Sequence, residues 1–197
     1  MEQDNRSQGN RRWQLYAILL VCAAPVVLSY LTYYVIKPTG RTNYGTLIDP
    51  RAHPIPPLGA TTLDGRPASL HDYRGKWILL QADGGACHAG CREKLYEMRQ
   101  LRLVQGKDMD RIERVWLITD DQPLDTMLIR QFDGTRLLRA RPDLVDAWLP
   151  VEPGTTAADH LFIIDPLGNL MMRFPKDADP NRIKKDIDKL LKASSIG

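Results

Sequence analysis

The 197-residue sequence predicts an α/β fold, a small central sheet with flanking helices on both faces, preceded by one N-terminal transmembrane helix. A long charge-free run opens the chain, short apolar strand-like runs then alternate with stretches of helical periodicity, and turn-forming residues separate them. The chain is 26% charged and 43% hydrophobic, which excludes a disordered tail or a collagen-like rod.

Residues 1–12 form a short N-terminal tail. Trp13 to Ile36 are 24 residues without Asp, Glu, Lys, Arg or His. At about 1.5 Å per residue they span a hydrocarbon core of about 30 Å. The run exceeds the h-region of a cleaved signal peptide and lacks a small-x-small exit, so it reads as a retained anchor. Cys22 lies inside it as an apolar residue facing lipid. Trp13, Tyr33 and Tyr34 stand near its ends, where amphipathic rings favour the interface. Arg6, Arg11 and Arg12 on one side nearly balance Lys37, Arg41 and Arg51 on the other, so charge assigns orientation weakly.

Residues 37–57 hold Pro38, Pro50, Pro54, Pro56 and Pro57 without apolar periodicity and read as a tether, with His53 solvated in it. The domain is placed at 58–197. The 161 residues after the anchor carry 24 basic and 22 acidic side chains with no dense basic stripe, which argues against nucleic acid as a partner. Leu58–Leu63 and Pro67–Leu70 flank Asp64-Gly65, a hairpin signal. Trp77–Gln81 is a short apolar strand ending near Asp83-Gly84-Gly85. Cys91, Leu95, Met98, Leu101 and Val104 recur at helical spacing, and Gly106 supplies a stop. Val115–Thr119 is a strand, Leu124–Phe132 an amphipathic stretch, and Pro142–Trp148 a short helix with proline at its first turn. Leu161–Ile164 and Leu170–Phe174 are strands joined by Asp165-Pro166-Leu167-Gly168. A last helix starts at Asp179-Pro180 and buries Ile183, Ile187, Leu190 and Leu191. Right-handed crossovers place the Cys loop at the carboxyl end of the first central strand.

Cys87-His88-Ala89-Gly90-Cys91 holds the reactive content. Thiols near a helix amino end are easier to ionise, because the positive end of the dipole favours thiolates. Three active readings follow: a redox disulfide, a zinc site and a soft copper site. Positions i and i+4 of a regular helix place Cβ atoms about 5 to 6 Å apart, beyond the roughly 3.5 to 4.5 Å of a disulfide, so this spacing favours a metal between reduced thiols and leaves a strained disulfide accessible. A structural zinc takes four ligands, and the chain has no second Cys pair. Cu(I), which accepts soft thiolates and an imidazole, suits a three-ligand set. The third ligand comes from His88, His160, His71 or His53. His160 directly precedes a strand, so its loop can lie beside the Cys loop; His71 is assigned to the surface. Asp120 and Asp121 are candidate acceptors around the site, or cap their loop.

Taken together these residues resemble the Sco/SenC family of membrane-anchored thioredoxin-like proteins. The resemblance covers roughly residues 55 to 192 and runs through Leu70-His71-Asp72-Tyr73-Arg74-Gly75-Lys76-Trp77, the Cys-x-x-x-Cys at 87–91, Leu117-Ile118-Thr119-Asp120-Asp121-Gln122-Pro123, Asp159-His160, and Ile164-Asp165-Pro166-Leu167-Gly168. It implies a thioredoxin-like sheet; Cys87, Cys91 and His160 as ligands of copper, Cu(I) first and Cu(II) second; and a role at the copper-binding subunit of cytochrome c oxidase, or with another periplasmic thiol or copper protein. It also implies a single-pass protein of the bacterial inner membrane, N-terminus cytoplasmic and C-terminal domain periplasmic. Where the family has Pro after its second Cys this chain has Arg92, which favours thiolates. The alternative function is a thiol-disulfide oxidoreductase, with Cys87 and Cys91 as the redox pair and no copper transfer.

Overall fold

The computed structural model describes residues 5–36, 43–194 and 196. The chain forms two compact units, Met1–Thr42 and Asn43–Gly197. In the first, helix α1 (Asn5–Leu31) continues into a π-helical turn, Thr32–Ile36. The stretch Arg12–Val35 is long and apolar enough to cross a membrane, with a mean hydropathy of 2.1 and no part of it buried in protein.

The second unit is a seven-stranded sheet in the order β1-β7-β6-β3-β4-β5-β2. Its strands are β1 (Thr46–Leu47), β2 (Thr61–Thr62), β3 (Trp77–Asp83), β4 (Ile112–Ile118), β5 (Thr135–Arg139), β6 (Phe162–Ile164) and β7 (Leu170–Arg173). β3, β4 and β5 run parallel, while β6 pairs antiparallel with β3 and β7 antiparallel with β6. Around it lie α2 (Ala89–Leu103), α3 (Thr126–Gln131), α4 (Pro142–Trp148) and α5 (Pro180–Ala193).

Alternation along β3 builds the two faces. Ile78, Leu80 and Ala82 point into one core with Val115, Leu117, Val145, Trp148 and Phe162. Trp77 and Leu79 point the other way, against Met98 and Leu101 of α2 and Ile183, Ile187 and Leu191 of α5. The stripe of α2 buries Cys91, Leu95, Met98 and Leu101. Leu95, Met98 and Leu101 together contribute several kcal/mol, at about 1.5 to 3 kcal/mol for each large apolar side chain. Val104 falls off the stripe: it caps the helix and is exposed.

Several expectations change. The tether was placed at 37–57, but its second half is part of the domain. Thr46 and Leu47 pair with β7, Ile48 donates to Met171, and Asp186 accepts from the N–H groups of Tyr44 and Gly45 at 2.6 and 2.9 Å. Residues 37–42 lie outside the described ones. The hairpin at 58–70 forms about Asp64-Gly65, with the Thr62 N–H donating to the Arg66 carbonyl at 2.9 Å, the Ala68 N–H donating to the Ala60 carbonyl at 3.0 Å and Thr61 bridging Pro67, and its first arm, β2, also pairs with β5. β5 was not anticipated, because Thr135-Arg-Leu-Leu-Arg139 lacks clear alternation and its parallel pairing to β4 is non-local.

Candidate functional site

β3 ends at Asp83, and the chain turns through Gly84 and Gly85 into the Cys loop before α2 begins at Ala89. Two glycines are needed here. A Cβ on Gly84 would stand 2.6 Å from the Asp120 carboxylate, and one on Gly85 would stand 2.7 Å from the Gln122 carbonyl. The close approach lets Asp120 accept from the Gly85 N–H at 2.8 Å and from the Gln122 N–H at 3.2 Å. Arg139 ties the same loop from β5, donating to the carbonyls of Asp120 and Gln122. Asp120 thus organises the Cys loop, whereas Asp121 is exposed.

Cys87 and Cys91 form a disulfide with a Cα–Cα distance of 5.1 Å, inside the usual range. The expectation that helical i, i+4 spacing would disfavour this bond fails for a local reason. Cys87 precedes the helix and has a φ of 42°, while His88 is an extended N-cap, so only Cys91 obeys helical geometry. His88 itself is exposed. Arg92 donates from Nε to the Cys87 carbonyl at 3.1 Å and reaches Asp125 at 3.7 Å; it clamps the loop backbone and is not bonded to a sulfur. The polar loop also proves a good place for packing: only 2% of Cys87 and 3% of Cys91 is exposed, against Leu95, Trp116, Ile118, Leu128 and Phe132.

Beneath Cys91 lies Gln81 of β3, fully buried. Its Nε2 donates to Cys91 Sγ at 3.0 Å and to the Cys91 carbonyl at 3.4 Å, while its Oε1 is buried without a hydrogen-bond partner. The sequence carried a signal for it. A strand covered on both faces is apolar along its length, and the single amide in Trp77-Ile-Leu-Leu-Gln-Ala82 breaks that pattern.

His160 stands just before β6. It caps the short 3₁₀ turn Ala157–Asp159 and is fully buried. Nδ1 donates to the Phe174 carbonyl at 2.8 Å, Nε2 pairs with the Thr155 hydroxyl at 2.7 Å, and the ring meets Phe162 edge-on. Both nitrogens are engaged in structure. Among the described residues no group of three or more His, Cys, Asp or Glu is placed to hold a metal ion. The fold joins the two sulfurs of the expected Cys87, Cys91 and His160 set, and both nitrogens of His160 are held by Phe174 and Thr155. His71 is half-buried in a 3₁₀ turn, not on the surface, and its Nδ1 lacks a partner. His53 is half-buried beside Leu144 and Trp148, and Cys22 is a free, exposed thiol in α1.

A thioredoxin-like sheet with a Cys pair at the end of a central strand is the class that this fold and loop define. A family model described as "Transmembrane-like, thioredoxin-like, C-terminal domain" matches residues 77–194, more than half of the sequence, and the chain belongs to that family. No curated protein matches it. Among solved structures, the copper-bound ScoI of Bradyrhizobium japonicum is similar at a TM-score of 0.51 and 18% identity, over 69% of this chain and 98% of that one. Copper-bound yeast Sco1 gives 0.54 and 14%, over 72% and 90%. A thiol:disulfide interchange protein from Bacteroides sp. gives 0.51 and 17%, over 73% and 91%. The resemblance to Sco proteins is thus met in the fold, which oxidoreductases share.

Proposed function

We propose that the protein is a membrane-anchored thiol-disulfide redox protein. The observation that carries this reading is the Cys87–Cys91 disulfide at the amino end of α2. A partner dithiol attacks the bond, passes on two electrons and two protons, and leaves as a disulfide while Cys87 and Cys91 become thiols. The reverse reaction oxidises a partner. Because both residues are almost fully covered, exchange requires the 84–88 loop to move, and its glycines supply the pivot.

The setting is a bacterial inner membrane with the N-terminus cytoplasmic and the domain in the periplasm. The membrane-length helix and the disulfide, which persists in oxidising compartments, support it. Thiols of the copper-binding subunit of cytochrome c oxidase, or of another periplasmic thiol or copper protein, are the proposed substrates. The Sco likeness supports that choice.

Copper carriage is the second reading, favoured by the copper-bound neighbours and by two adjacent sulfurs. Here copper is cargo. The reduced pair supplies two soft thiolates, whereas His160 would first have to release Phe174 and Thr155. The test equilibrates the full chain in detergent with glutathione redox buffers and titrates its reduced form with Cu(I). Reversible two-electron oxidation, lost in Cys87→Ser and Cys91→Ser, is expected. A pair that cannot be cycled would overturn the redox reading. Uptake of one Cu(I) that requires His160 would move the balance to the copper carrier.

A further inference from the structure

We infer that Gln81 is a positioning residue for the disulfide chemistry, its amide N–H holding the Cys91 sulfur as a thiolate once the bond is reduced. The inference rests on the redox reading above and deepens it.

Reduction breaks the Sγ–Sγ bond. A reagent or partner dithiol gives up two electrons and two protons and becomes a disulfide; Cys87 takes one proton and becomes a thiol, and the proton that would sit on Cys91 goes to solvent. A buried thiolate is costly unless a donor faces it. Gln81 provides that donor. Its Nε2 already lies 3.0 Å from Cys91 Sγ. It reaches the sulfur from the strand side, where water has no access, since the residue is 0% exposed.

Packing alone does not account for the amide. A leucine would fill the position next to Leu79 without stranding a polar atom, yet the sequence keeps a side chain whose Oε1 is buried and unpartnered. In the protonated form of Cys91 the S–H can donate to that oxygen, whereas the thiolate accepts from Nε2 and leaves the oxygen unpaired. One uncharged group thus serves both protonation states and never titrates itself.

The charged groups around the pair are engaged elsewhere. Lys94 of α2 bonds Asp83 and the Gly90 carbonyl, Arg92 bonds the Cys87 carbonyl and reaches Asp125, and Asp120 holds the Gly85 and Gln122 N–H groups. His88 is exposed. Among the described residues, Gln81 is the side chain hydrogen-bonded to a cysteine sulfur.

The experiment follows Cys91 in the reduced full chain in detergent, by thiolate absorbance against pH and by equilibration with glutathione and dithiothreitol buffers. Gln81→Leu should raise the thiolate pKa by about one unit, a tenfold loss of thiolate stability. At a pH where Cys91 is ionised in both proteins, the potential should become more negative by about 30 mV, the two-electron equivalent of tenfold. Gln81→Glu keeps the shape and adds an acid, so it should raise the pKa further and split the titration into two steps. That variant carries the test if Gln81→Leu does not fold. Unchanged pKa and potential in a folded Gln81→Leu, or a one-step unshifted titration in Gln81→Glu, would overturn the inference while leaving the redox reading intact. A wild-type pair that does not cycle would overturn both.

Discussion

The imidazole of His160 donates from Nδ1 to the carbonyl oxygen of Phe174 at 2.8 Å, locking the loop before β6 to the end of β7. The Phe174 N–H returns the tie by donating to Leu161 at 2.8 Å. His160 therefore closes the β6–β7 pair where the strands diverge, a role that needs both ring nitrogens satisfied in a buried place.

His160→Ala should destabilise the domain by about 2 to 4 kcal/mol, since it strands the Phe174 carbonyl and leaves a cavity. Urea unfolding checks this. The folded fraction should take up Cu(I) through its thiolates as wild type does; unchanged stability with abolished uptake would make the ring a ligand after all.

Gly85→Ala introduces a Cβ 2.7 Å from the Gln122 carbonyl and 3.0 Å from Asp120 Oδ1. Backbone must shift, at a cost of about 1 to 3 kcal/mol. Because Asp120 holds the Cys loop through the Gly85 N–H, dithiothreitol should reduce the disulfide several-fold faster. Stopped-flow reduction measures it, and an unaltered rate would separate the loop from the chemistry.

The carboxyl of Asp159 is pulled down to about 2, chiefly by the Thr156 N–H and then by Lys176 at 3.0 Å. A depressed folded value gives stability that is complete above the unfolded value near 3.8 and is lost as pH falls through about 2. Asp159→Asn should thus be less stable than wild type by about 1 kcal/mol at neutral pH, with the gap closing between about pH 4 and 2. Thermal melts of both proteins across that window test it; a gap independent of pH would assign the loss to shape alone.

Asp186 is 2% exposed and receives the Tyr44 and Gly45 N–H groups. Asp186→Ala should leave the buried Gly45 N–H and the half-buried Tyr44 N–H unpaired, cost roughly 2 to 4 kcal/mol and release residues 43–47 from the sheet edge. Limited proteolysis should then cut near Gly45, where wild type resists.

Much of this architecture was legible locally. The apolar run at 13–36, the stripe Cys91-Leu95-Met98-Leu101, the Asp179-Pro180 start of α5 and the Asp165–Gly168 turn all depend on neighbours within a few residues, so periodicity and turn chemistry report them. The Cys pair was legible as well, including its place after a central strand. Two features were not. β1 is a two-residue edge strand whose pairing is made with β7 more than a hundred residues later, so the proline-rich stretch around it reads as a tether. The disulfide depended on Cys87 lying outside the helix with a positive φ, which residue spacing does not encode.

The amino-acid order by itself determined most of the helices and central strands, the membrane-length helix and the identity of the reactive pair, because each is set by local patterning. Tertiary packing decided what stands next to that pair. It brought the Gln81 amide from β3 under Cys91 and carried His160 to Phe174, since hydrogen-bonding groups buried by strand and helix docking must take whichever partners the fold puts within reach.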